Sequence, residues 1–310
     1  MFRKTMQAIS IIFWQQLAKL WHCQRIGITV IWLLFKRVFN VTKMHENKGI
    51  CQRFCHSLAK EFQCEEILLF HEPSDVFCKS QWQSHSKSLL WLIYRWIFAA
   101  FFSAGVLSNV IQNFANGRWF IYLTDWGFIL CMYTSIFGAV LVTIYYCTSG
   151  KNEVVISLWA LKLYWASYWT TLVLATVITT VYWIFIFPTD NQSAWGIHNL
   201  WQHGFNSVMM ILDHMLVAFP SHILHYVYPF GLGLIYSIFS VIYYYAGGVD
   251  PFGNRFIYEI LDWSKPGIAT LTFIGALVLT FVFSCLHFGL YKLRTFIYHQ
   301  RRSPKITLNV

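Results

Sequence analysis

Two side chains in this sequence could perform acyl transfer if the fold brings them together. Thr124 lies in RWFIYLTDWG and His203 in QHGFNSVMMILD, each inside a strongly apolar stretch. Thr124 stands five residues past Trp119, and His203 two past Trp201. If both stretches are helices entering a membrane from one face, the depths of the two residues differ by roughly 5 Å. A hydroxyl and an imidazole then meet just below the interface, which is the minimal nucleophile and base of acyl transfer. The ring would take the hydroxyl proton and return it to the leaving group. The plainer reading of Thr124 is a hydroxyl bonded to its own helix backbone.

His203, Asn206, Met210 and Asp213 follow at spacings of three, four and three. That places them on one helical stripe, flanked by Ser207 and His214. A stripe of this kind faces a bundle interior or a wet cavity, and a hydrogen-bonded packing seam is the plain account of it. Asn206 is a candidate to orient His203 or to stabilise an oxyanion. Carboxylates at membrane depth cost about 2.5–3.5 kcal/mol on insertion scales, so Asp125 and Asp213 need a reason. Asp125, about 100° round the helix from Thr124, is expected to point elsewhere. Arg95 is expected to snorkel toward water. Ser221, His222 and His225 with Asp213 could imitate a triad at the other end.

The elements that must position these groups are legible from composition. Of 310 residues, 57% are hydrophobic and 12% charged, with a mean hydropathy of +0.49. Soluble domains hold about 25% charged residues. The solvent must be lipid, and the expected fold is all-α, a polytopic bundle. Six windows approach the roughly 20 apolar residues a crossing needs: Leu89 to Ile111, Trp119 to Cys147, Leu163 to Phe187, Leu200 to Phe219, His222 to Tyr245, and Pro266 to Leu290. The fourth and fifth are separated by a turn at Pro220. Twelve of the 23 Lys and Arg precede Leu89 and five follow Leu290, so both termini are expected in the cytosol. Plasma membrane and endoplasmic reticulum are not distinguished. Trp91, Trp119, Trp169, Trp183, Trp201 and Trp263, near the span ends, suit an interfacial belt.

Three regions result: a basic cytosolic or interfacial segment 1–88, a transmembrane domain 89–290 and a basic tail 291–310. Within the first, Met1 to Lys43 suits an interfacial helix on anionic lipid, and Met44 to Ser88 a cytosolic lead-in that could recruit protein partners. Cys51, Cys55, Cys64 and Cys78, with His56 and His71, match no compact zinc spacing, so no metal is expected. No cofactor is expected either. Asn191-Gln192-Ser193 is a glycosylation acceptor in an outer loop. The formal charge of +10 fits anionic lipid, and nucleic acid is not expected as a partner.

The segments HEPSDVFCKSQWQ, IYLTDWG, FNSVMMILDHML, VAFPSHILHYVYPFG and IYYYAGGVDPFGNRFIYEILDW, in that order, resemble the androgen-induced gene 1 superfamily. The sequence is most similar to the rolling-stone-like branch, over roughly Leu68 to Leu290. The resemblance implies two different roles. The androgen-induced branch contains integral-membrane threonine hydrolases that cleave fatty acid esters of hydroxy fatty acids, and their Thr and His positions fall on Thr124 and His203. The rolling-stone branch is associated with myoblast fusion. Gln202 stands where the hydrolases have Asn, and Asn206 where they have a second His. The expectation is therefore a multi-pass membrane protein acting on a lipid ester through Thr124 and His203. The alternative is a non-enzymatic component of cell fusion. A transporter or channel, prompted by Asp125, Asp213 and His214, ranks third because no internal repeat is visible.

Overall fold

Where lipid leaves the backbone no partner but itself, apolar runs of this length become helices. The computed structural model describes residues 61, 67–148, 156–187 and 196–302. The chain divides into two compact units, Met1–Gln63 and Cys64–Val310, and the helices below all belong to the second. The segment Met1 to Lys43, Cys51, Cys55, Cys64 and the glycosylation acceptor Asn191-Gln192-Ser193 lie outside the described residues.

Helix α1 is Leu89–Asn113, α2 Leu123–Thr148 and α3 Leu158–Val181, the last running on as a π turn, Tyr182–Ile186. Helix α4 is composite: Ile197–Leu200, a π segment Trp201–Phe205, and Asn206–His214. A short turn, Ile223–Tyr226, leads into α5, Val227–Tyr245, and α6 is Pro266–Arg302. All of these except α4 are long and apolar enough to cross a membrane, giving five such helices among the described residues. The sixth expected crossing is α4, which His198, Asn199, Gln202, His203 and Asn206 make too polar to count by composition alone. The chain is a multi-pass, all-α integral membrane protein.

Several boundaries move for physical reasons. The second helix starts at Leu123, not Trp119, because Ala115–Ile121 is a 3₁₀ turn. Asn116 and Gly117 turn the chain there with φ of 56° and 85°, the left-handed region that glycine tolerates. The last helix continues past Leu290 to Arg302. At 1.5 Å per residue it reaches about 55 Å, well beyond a hydrocarbon core of about 30 Å.

Arg95 does not snorkel. It is 1% exposed, and Nη1 donates to Asp213 Oδ1 at 2.7 Å, while Nη2 donates to the Tyr164 hydroxyl. Tyr94 donates to the same Asp213 oxygen at 3.0 Å. Helix α2 leaves room for the guanidinium at Gly138, where an added Cβ would overlap it. A second buried arginine, Arg294, donates to the carbonyls of His214 and Phe219, the chain leaving α4. A cation belongs there, because the carbonyl end of a helix carries partial negative charge. Pro220 then closes the turn between α4 and α5, its carbonyl accepting from Trp165 Nε1 at 3.0 Å.

The segment before α1 packs onto this same end of the bundle. Phe77 is buried between Trp165 and Phe219, with ring centroids 5.1 and 5.2 Å away. Ser80 and Val217 form an antiparallel bridge, and Trp82 Nε1 donates to the Met215 carbonyl at 2.8 Å. Cys78 is buried, its thiol facing the Leu141 carbonyl.

Candidate functional site

At the opposite end, where α1 finishes and α2 and α4 begin, lies a cavity of about 950 Å³. Thr124, Asp125 and His203 all line it. Thr124 sits in the first turn of α2, where backbone N–H groups have no partner within the helix. Its N–H donates to the Tyr258 phenol oxygen at 3.3 Å, and its hydroxyl lies 3.2 Å from the same oxygen. With the N–H feeding the phenol oxygen, the phenol proton can go to Thr124 Oγ1, leaving the threonine proton free for a base. Burial pushes the Tyr258 hydroxyl up to about 12, against the pull of its bonds from Thr124, so it stays a neutral donor.

His203 comes from the π segment of α4 and faces the π turn of α3. Its ring stacks on Tyr182 with centroids 3.5 Å apart and planes within 6°. Trp183 Nε1 donates to its carbonyl at 2.9 Å. Single π turns inside helices are frequent at functional sites, because the wider turn re-aims a side chain. His203 Nδ1 is buried without a hydrogen-bond partner, so one ring nitrogen is uncommitted. Thr124 and His203 thus share a cavity but make no hydrogen bond to each other; the bond of the Thr124 hydroxyl is to Tyr258.

Asp125 also lines the cavity, although it was expected to point away from Thr124. At a helix terminus neighbouring residues in the first turn can both border the space beyond it. The side chain is 3% exposed, and its Oδ1 accepts from Gln202 Nε2. Gln202 Oε1 accepts from Asn109 Nδ2 at 2.9 Å, and Asn109 Oδ1 accepts from Trp119 Nε1 at 2.6 Å. This chain of amides ties α1, α2 and α4 together around the cavity. It also explains why Trp119 is 3% exposed and no part of an interfacial belt. Trp91 and Trp169 leave the belt as well, at 7% and 1%.

The other polar residues of the stripe, Asn206 and Asp213, do not reach the cavity. Asn206, 1% exposed, donates to the Gln202 carbonyl at 2.7 Å, one turn back in its own helix. Asp213 is at the far end, bound to Arg95. No group of three or more His, Cys, Asp or Glu among the described residues is arranged to hold a metal ion.

Tyr258, Tyr182 and Asn109 were not singled out by the sequence. Tyr258 is remote in sequence from Thr124 and carries no spacing signal; it appears only within the YEILDW segment. Asn109 and Gln202 could have been paired as polar residues at equal depth near the same ends of two spans.

The family described as protein rolling stone matches residues 49–303. The chain belongs to the rolling stone family. It is 38% identical over 250 residues to the protein rolling stone of Drosophila melanogaster, a match covering 78% of this chain and 91% of that one. No solved structure matches. The rolling stone match takes in every residue of the cavity wall named above.

Proposed function

We propose that this member of the rolling stone family is an intramembrane threonine hydrolase of lipid esters. The observation that supports it is the placement of the Thr124 hydroxyl and the His203 ring on one cavity at one end of the bundle. A fatty acyl ester enters with its carbonyl near Thr124 Oγ1. His203 takes the threonine proton as the Oγ1–carbonyl bond forms, and Tyr258 holds Oγ1 by a hydrogen bond. The alkoxide leaves with the proton from His203, and water then releases the acid from Thr124. Hydrogen bonds between catalytic groups are often long in empty sites and tighten around substrate. Asn206, committed to the Gln202 carbonyl, supports position of the α4 backbone and not the oxyanion. With both termini cytosolic, the cavity opens to the lumen or the exterior.

The test is covalent labelling of the full chain in membranes by a fluorophosphonate probe. Labelling should be present in the unmodified protein and absent in Thr124→Ala and in His203→Ala. Labelling that persists in both variants removes the hydrolase reading.

The absence of a direct Thr124–His203 bond favours a second reading, a non-enzymatic component of myoblast fusion. It is separated by fusion of cells lacking the protein: full rescue by Thr124→Ala means that chemistry at Thr124 is not needed.

A further inference from the structure

Asp125 is the feature that hydrolysis leaves unexplained. An ionised carboxyl group 3% exposed at membrane depth is expensive unless a cation meets it. Its bonding partner here is the neutral amide of Gln202. The ion pairs among the described residues join Lys79 to Asp75 and Arg95 to Asp213, and neither involves Asp125. The N-terminal turn of α2 supplies partial positive charge, equivalent to about half an elementary charge, and does not neutralise a carboxylate.

The rest of the wall has the same sign. Among the described residues, Asp250, Glu259 and Asp262 line the cavity with Asp125, against one cation, Lys265. Asp250 is held as an acceptor by the N–H groups of Phe252 and Asn254. Bonds from Ser264 hold the Asp262 carboxyl below its usual range, so it contributes charge at neutral pH. Two histidines, His198 and His203, also line the wall. His198 shares a bond with Gln112 at 2.8 Å.

Aromatic surface accompanies the charge. Tyr122 and Tyr258 meet edge to face beside Asp125, with centroids 5.6 Å apart. Trp119 and Tyr182 also line the cavity. Carboxylates combined with aromatic faces recognise quaternary ammonium groups through charge and cation–π attraction together. Phe185 and Ile268, 52% and 58% exposed, also line the cavity and offer apolar surface for an acyl chain.

We infer that the cavity binds amphiphiles with a cationic, quaternary ammonium headgroup, with Asp125 as the counter-ion and Tyr122 and Tyr258 as the aromatic faces. This deepens the hydrolase reading by naming the substrate headgroup. It sets the chain apart from enzymes of free hydroxy fatty acid esters, whose carboxylate would meet a wall carrying Asp125, Asp250, Glu259 and Asp262. Cleavage of a fatty acyl choline ester would give the fatty acid and choline, with water as the co-reactant.

The experiment measures equilibrium binding to the full chain in neutral-lipid nanodiscs, using Thr124→Ala so that binding does not depend on cleavage. The probes are palmitoylcholine, its neutral isostere 3,3-dimethylbutyl palmitate, and the palmitoyl ester of a hydroxystearic acid. Palmitoylcholine should bind at least about tenfold more tightly than the isostere, and the carboxylate ester most weakly. The preference should fall to near parity in Asp125→Asn and return in Asp125→Glu. Equal binding of the cationic and neutral probes by the Thr124→Ala protein overturns the inference, as does a preference unchanged in Asp125→Asn. Loss of fluorophosphonate labelling specificity, by contrast, bears on the hydrolase reading alone and leaves this binding measurement intact.

Discussion

Arg95 on α1 and Asp213 on α4 are joined by a 2.7 Å ion pair in which both side chains are almost wholly buried, at 2% and 0% exposed. Neither charge has another route to water, so each exists because of the other. Removing one partner from a buried pair costs about 3–5 kcal/mol, most of it from stranding the survivor. Asp213→Ala is therefore expected to lower the thermal midpoint of the detergent-solubilised protein sharply, and Arg95→Met somewhat less. The double variant Arg95→Met with Asp213→Leu should recover much of the loss. A double variant as unstable as the sum of the singles would show that the two groups act independently.

Gly138 reports on the same pair from a third helix. A methyl group there would collide with the Arg95 guanidinium and crowd the Tyr164 hydroxyl. Since Asp213 fixes the guanidinium, the clash cannot be relieved by a simple swing of the side chain. Gly138→Ala should destabilise by about 1–3 kcal/mol, the usual range for overpacking. Combining it with Arg95→Met should remove most of that penalty, read as thermal midpoints of the four proteins.

How far the sequence discloses this molecule depends on which force sets each feature. The start of α1 at Leu89 and the apolar core of each crossing are legible, because lipid demands about 20 apolar residues and little else does. Polar starts are not: His198 and Asn199 open α4 earlier than Leu200 because the cavity, not lipid, surrounds them. Arg95 and Trp119 read as interfacial by position, yet each is drawn inward by a partner from a distant part of the chain or an adjoining turn. Thr124 and His203 could be placed at similar depth by counting residues from two tryptophans. Tyr258 could not, since the loop that carries it has no periodicity from which to project its phenol.

Tyr258 provides the test of that loop's part in the site. Its phenol holds both the N–H and the hydroxyl of Thr124, at 3.3 and 3.2 Å. Tyr258→Phe removes both bonds while keeping the ring against Tyr122. At about 0.5–1.5 kcal/mol for a hydrogen bond, labelling of Thr124 by a fluorophosphonate should slow by about two- to tenfold. With its pKa raised to about 12, Tyr258 is protonated throughout the neutral range and loses its proton only as pH rises far above it. The pH profile of labelling from about pH 6 to about pH 9 should therefore keep its shape in Tyr258→Phe and change only in amplitude. A limb that disappears with the phenol would instead make Tyr258 a titrating acid or base.

At the other end of the bundle, Phe77 decides whether the segment before α1 is part of the fold. Its ring is 5% exposed, stacked on Phe219 with planes 17° apart and set edge-on to Trp165. Those partners come from the chain after α4 and from α3, so Phe77 fastens the segment to two separate elements. The bridge from Ser80 to Val217 adds Gln81 N donating to the Leu216 carbonyl at 2.8 Å and Ala218 N to the Lys79 carbonyl at 3.2 Å. Truncating a buried Phe costs about 3–5 kcal/mol, more than these backbone bonds hold, at about 0.5–1.5 kcal/mol each. Phe77→Ala should release the segment, exposing the chain around Lys79 and Lys87 to trypsin while the helices stay protected. Cleavage no faster in Phe77→Ala than in the unmodified protein would mean that the bridge alone holds the segment down.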